Sequence, residues 1–193
     1  MHPTYQITDA DLIQAYQNGQ EKALEMLIIR HKDKVYTTIF MLVKDKFLAE
    51  DLFQETFLKI IRTIKDGRYA EQGKFLPWAV RVAHNLCMDY FRKAKVQIPI
   101  INSDGNEILS LLPIATDYIS SLEKRQSHDS IRKLIEELPE EQREVIVLRI
   151  YADLSFKEIA DLTSVSINTA LGRMRYGLIN LRKMIEQNQM VLR

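Results

Sequence analysis

Residues 74–95 read KFLPWAVRVAHNLCMDYFRKAK. Pro77 suits the first turn of a helix, because the amide it lacks would be unbonded there, and neither Gly nor a further Pro interrupts the rest of the stretch. A helix of about five turns is predicted. At about 100° per residue, Leu76, Ala79, Val80, Ala83, Leu86, Cys87, Tyr90 and Phe91 fall on one side as a core stripe. The other side carries Lys74, Arg81, Asn85, Met88, Asp89 and Arg92, with Lys93 and Lys95 near the end. Cations there flank one amide and one carboxylate, groups that neutralise phosphates and hydrogen-bond base edges. A solvated face with scattered charge is the other reading of the same pattern.

Charge is partitioned along the chain. Its formal net charge is +1 over 193 residues, 46% of them hydrophobic and 27% charged, a composition that supports a buried core and one or two globular domains. Residues 72–95 hold five Lys or Arg against one acidic residue, and residues 165–193 again five against one. Residues 96–122 hold three acidic and no basic residues. Two basic regions flanking an acidic strip can bind a polyanion at two places despite a near-neutral total.

The single cysteine, Cys87, has no partner for an internal disulfide and sits on the core side of its helix, as a small buried hydrophobe would. His2, His31, His84 and His128 lie far apart without ligand spacing, so no metal site is expected and no cofactor is implied. The opening MHPTYQITDADL lacks the order of a secretory leader, and no run of about 18 apolar residues occurs. A cytoplasmic protein without stable membrane insertion is expected.

Upstream, a short helix is predicted from the N-cap Thr8 to Tyr16, closed by Asn18-Gly19, and a second from about Glu21 to Val43. A third spans Leu48 to Ile64, with Leu52, Phe53, Phe57, Ile60, Ile61 and Ile64 on its inner side. Asp51, Gln54, Glu55, Leu58 and Arg62 follow i, i+3, i+4, i+7, i+11 on the other side, placing a leucine among acidic and amide groups. This is either a solvated face with one stray leucine or a protein-docking face with Leu58 as its apolar anchor.

Downstream, residues 96–122 change character, with Pro99, Pro113, the run NSDGN at 102–106 and two short apolar clusters, and read as a linker. Beyond it, Ile131, Leu134, Ile135 and Leu138 form a stripe that stops at Pro139, which opens the next helix with Glu140, Glu141 and Glu144 near its start. Ser155 with Glu158 is a capping box, and Ser166 is a second N-cap. Helix, tight turn, helix results. In the second of these helices Ala170, Met174, Leu178 and Leu181 face inward, while Asn168, Leu171, Gly172, Arg175 and Tyr176 face out with Arg173 at the flank. That is the layout of a recognition helix in a major groove, where Asn and Arg pair with adenine and guanine edges. The fold class is therefore all-α: a first helical domain over 1–95, a linker over 96–122 and a helix-turn-helix domain over 123–193.

LAEDLFQETFLKI, then FLPWAVRVAHNLCMDYFRK, then ELPEEQREVIVLRIYADLSFKEIADLTSVSINTALGRMR, in this order and spacing, resemble the successive conserved regions of bacterial RNA polymerase sigma factors of the extracytoplasmic-function (ECF) type. The resemblance runs from about Glu21 to Lys183. It implies that Asp51, Gln54, Glu55 and Leu58 dock on core RNA polymerase. It further implies that Lys74, Arg81, Asn85, Asp89, Arg92 and Lys93 read and open a promoter −10 element. Asn168, Thr169, Leu171, Gly172, Arg173, Arg175 and Tyr176 would bind the −35 element of promoter DNA, and an anti-sigma factor is the further partner. Catalysis would belong to the polymerase, so this chain is not expected to be an enzyme.

Three positions depart from the family's pattern. Ser164 stands where a turn glycine is frequent, and Leu171-Gly172 where a basic residue followed by Ser is frequent. Trp78 lies close to a tryptophan of the family that generally packs. A stand-alone helix-turn-helix regulator is the competing reading, but it leaves residues 21–95 without a task. An enzyme ranks last, since adjacent acidic pairs such as Glu50-Asp51 point in different directions and lack a nucleophile.

Overall fold

The computed structural model describes residues 7–70, 73–97 and 130–188, and every regular element among them is helical. In chain order these are α1 (Asp9–Gln17), α2 (Glu21–Val43), α3 (Lys46–Lys65), α4 (Phe75–Gln97), α5 (130–136), α6 (Glu140–Ile150), α7 (Phe156–Thr163) and α8 (Ile167–Gln187). The expected linker lies outside the described residues, except that α4 runs to Gln97.

Local chemistry sets the ends. Thr8 caps α1 in a reciprocal box with Asp11, and Gly19, at φ 92°, carries the chain into α2. Asp45 caps α3 through the Leu48 amide, so this helix begins two residues before the apolar periodicity does. Pro139 precedes α6 with Glu140 and Glu141 in its first turn, where the helix dipole favours negative charge.

Helices α1 to α4 close around one core that includes Leu12, Leu27, Val35, Ile39, Ile60, Ile64, Ala79, Ala83 and Cys87. Burial raises the Cys87 thiol to about 12, against which a hydrogen bond to its backbone works, so this sulfur stays a protonated core group. Most of the α4 stripe is buried as expected, with three differences. Tyr90 is exposed, its ring against Phe91 at 5.8 Å. Phe75 is buried beside His31, Tyr69 and Trp78, which confirms a packing environment around Trp78. His84 is buried because α6 lies opposite it.

That last contact belongs to the main finding about the architecture, which is that the two halves pack on each other. Val145, Ile146, Val147 and Leu148 are all fully buried. Four consecutive residues span a whole turn, so this turn of α6 is covered on every side. Val145 and Leu148 share a core with Val80 of α4 and with Ile159 and Ala170 of the helix-turn-helix, while Ile146 and Val147 share another with Met41 of α2 and Leu181 of α8. Polar bonds ring this seam. His84 Nε2 lies 2.8 Å from Glu144 Oε1, Lys74 Nζ lies 3.0 Å from Glu158 Oε1, Lys34 pairs with Asp153, and Lys44 donates to the Glu136 carbonyl.

Candidate functional site

On α3 the amphipathic pattern leaves Asp51, Gln54, Glu55, Leu58 and Arg62 exposed along one face, with Leu58 at 54%. The inner residues Leu52, Thr56, Phe57, Ile60 and Ile64 are buried, so the face is held on a packed helix. Phe47 extends it. At 74% exposure it stands one turn before Asp51 and three turns before Leu58, which puts two apolar groups at the ends of an acidic row. The periodicity alone did not include Phe47, because it starts the helix at Leu48; the cap at Asp45 is the signal that would have placed Phe47 inside the helix.

On α4, Lys74, Arg81, Asn85, Arg92 and Lys93 are exposed and Asp89 is half-buried. These residues do not form one uniform site. Lys74 and Arg81 line a cleft of about 380 Å³ together with Trp78 and, across from them, Ser155, Lys157, Glu158 and Asp161 of the α7 region. Asn85, Asp89, Arg92 and Lys93 lie farther along the helix, where Arg92 Nη2 pairs with Asp89 Oδ1 at 3.0 Å. Lys74 is engaged by Glu158, whose carboxylate also accepts from the Ser155 amide at 2.9 Å and hydroxyl at 2.7 Å. Burial works against its ionisation, but the Ser155 bonds and Lys74 outweigh it and bring Glu158 down to about 2.

The helix-turn-helix forms as its caps require. Ser155 and Glu158 make a reciprocal box at the start of α7, and Ser166 caps α8 by accepting from the Thr169 amide at 3.0 Å. Ser164 takes the left-handed turn itself, at φ 55° and ψ 41°. Outward on α8 stand Asn168, Thr169, Leu171, Arg175 and Tyr176, with Gly172 half-exposed. Arg173 differs from Arg175: its guanidinium turns back to Glu141 at 3.2 Å and is largely covered. Leu178, expected to face inward, is exposed, and Gly177 is buried instead, because α6 approaches α8 so closely that a Cβ on Gly177 would stand 2.7 Å from Ile146 Cδ1. Among the described residues no group of three or more His, Cys, Asp or Glu side chains is placed to hold a metal ion, and no helix is long and apolar enough to cross a membrane.

Comparison with known proteins places the chain in a family. A family model described as sigma-70 region 2 matches residues 27–96, and one described as sigma-70 region 4 matches residues 128–171. The chain is 30% identical over 174 residues to the RNA polymerase sigma factor CarQ of Myxococcus xanthus, covering 90% of this chain and 95% of that one. It is 28% identical over 181 residues to the ECF RNA polymerase sigma factor SigW of Bacillus subtilis, covering 90% and 94%. Its fold matches the sigma factor RpoE of Bartonella quintana, solved in complex with the anti-sigma factor NepR, at a TM-score of 0.66 and 20% identity over 86% of this chain and 98% of that one. Two region models in chain order, a relative matched over nearly its whole length, and an all-helical body ending in a helix-turn-helix lead to one conclusion: the chain belongs to the sigma-70 family of RNA polymerase sigma factors, in its ECF branch.

Proposed function

We propose that this chain binds core RNA polymerase through the α3 face and carries it to promoters by gripping the −10 element with α4 and the −35 element with α8. The observation that carries this reading is the presence, in one chain, of three outward polar helix faces with different chemistry. The α3 face is acidic with apolar ends, which suits a basic protein surface with apolar pockets. The outer parts of α4 and α8 are cationic with amides, which suits phosphates and base edges.

In this mechanism the chain performs no covalent chemistry and works in the cytoplasm with the polymerase, which supplies catalysis. Arg175 and Tyr176 position α8 on the duplex, and Asn168 reads a base edge. On α4, Arg81, Arg92 and Lys93 neutralise phosphates while Asn85 and Asp89 offer hydrogen-bond groups to a −10 base that has left the stack. Capturing such a base offsets an unstacking cost of a few kcal/mol, so that opening and recognition are coupled. An anti-sigma factor that covers the polymerase-facing surfaces is the natural regulator of such a subunit. The test is transcription in vitro over a genomic fragment library by core polymerase with and without the full chain. Start sites that share two elements at fixed spacing, and vanish without the chain, are expected; a stand-alone regulator would give no transcripts with core polymerase alone.

A further inference from the structure

The first two turns of α8 are chemically unlike the rest of the helix. From Ser164 to Gly172, SVSINTALG, no side chain carries a charge. Thr169 is held at the cap, its hydroxyl 2.9 Å from that of Ser166. What remains facing out is Asn168, whose amide has no hydrogen-bond partner among the described residues, and two aliphatic side chains, Ile167 at 46% and Leu171 at 44% exposure. Asn168, Leu171 and Arg175 follow i, i+3, i+7 and so share one stripe, with Ile167 a turn before Leu171. Beside Leu171 the surface recedes, because nothing lies within 4 Å of the place a Cβ would take on Gly172. Arg173, two residues beyond Leu171, is turned away to Glu141, so the first cation on this stripe is Arg175, one turn beyond Leu171.

Base chemistry decides what such a surface can read. In the major groove Arg or Lys pairs with guanine, Asn or Gln pairs with adenine, and thymine alone offers a methyl group to an apolar side chain. The leading residues of a recognition helix meet the base edges. Those of α8 hold an amide, two aliphatic groups and a Thr169 hydroxyl engaged at the cap, and no Arg or Lys that would pair bidentately with guanine. Exposed Arg175, Arg182 and Lys183 on the same helix favour a polyanion as the occupant of this face over an apolar protein segment. Resting on the reading of α8 as the −35 helix, we infer that Leu171, with Ile167 at its side, is a specificity-determining residue that packs on thymine methyl groups. Asn168 pairs with adenine in the same stretch, and the part of the −35 element under these two turns is selected for A·T pairs.

The experiment uses holoenzyme assembled from core polymerase and the full chain, on a synthetic duplex carrying the promoter elements found by start-site mapping. Each thymine of the −35 element is replaced by deoxyuridine, which removes the methyl and keeps the hydrogen-bonding edge, while the −10 element is unchanged. Binding is expected to weaken about three- to fourfold per buried methyl. Holoenzyme with Leu171→Ala should bind the two duplexes alike, and Leu171→Met, which keeps an apolar contact, should restore part of the difference. Equal affinity of the wild-type holoenzyme for both duplexes overturns the assignment, as does a Leu171→Ala holoenzyme that keeps the wild-type ratio, or a −35 element without thymine. Promoter binding with no methyl effect overturns this assignment and leaves the reading of α8 standing, whereas failure to select any promoter removes both.

Discussion

Ser164 occupies the left-handed region that costs a residue with a Cβ about 1–2 kcal/mol, and its own amide closes α7 by bonding to the Ala160 carbonyl. Glycine would relieve most of that strain, offset in part by the greater entropy it gives the unfolded chain. Ser164→Gly is therefore expected to stabilise the protein by about 0.5–1 kcal/mol, seen as a higher urea midpoint at unchanged slope. Asn85 is the residue on which the proposed opening step turns, since it is exposed on α4 beyond the cleft that occupies Lys74 and Arg81. Losing one good base contact is worth about 1–3 kcal/mol, so Asn85→Ala should lower open-complex formation about tenfold or more at unchanged affinity for core polymerase. Permanganate footprinting checks this, and undiminished strand opening would remove Asn85 from the site.

Single helices carry two further expectations. The α3 face combines Leu58 and Phe47 with Asp51 and Glu55 between them, the composition of an anchor surrounded by charge. Placing a carboxylate at its centre by Leu58→Asp is expected to weaken core association about tenfold or more without unfolding the helix, because Leu58 is exposed; a pull-down with unaltered affinity would count against the docking face. The two glycines of α8 should respond with opposite signs. Gly172 meets open space, so Gly172→Ala should add up to about 1 kcal/mol of stability through helix propensity. Gly177 faces Ile146 and Gln142 of α6, so Gly177→Val should lose about 1–3 kcal/mol by forcing the two helices apart. Denaturant unfolding of both variants measures the pair.

For the whole molecule, the seam between the halves is where charge and folding meet. Glu158 belongs to the α7 cap and to the ion pair with Lys74 on α4, and its carboxyl is held at about 2. A folded-state value below that of the unfolded chain means stability that is fully present above about pH 4.5 and is lost as pH falls towards 2. Asp153, held low by its hydrogen bond and charge attraction to Lys34 across the same seam, acts in the same direction. Stability is thus expected to fall steeply below about pH 4.5, and Glu158→Gln should flatten that limb while lowering stability at pH 7, as read by thermal unfolding across pH.

Most of the element plan was legible from residues alone because it rests on short-range chemistry. Period and caps marked α2 at Glu21–Val43, the box at Ser155 and Glu158, and the N-cap at Ser166, since a capping hydroxyl acts within three residues of its own position. The outward faces of α3, α4 and α8 came from the same periodicity. What the periodicity did not contain is the group that lies opposite a given side chain. His84 is buried by Glu144, Arg173 is turned away by Glu141, Lys74 is taken by Glu158, and Tyr90 is left exposed, all through partners dozens of positions away or through the lack of one on that side. The run VIVL at 145–148 is apolar in the sequence, but that it is enclosed by both halves of the molecule was decided by tertiary packing, because burial depends on neighbours brought together only when the chain folds back on itself.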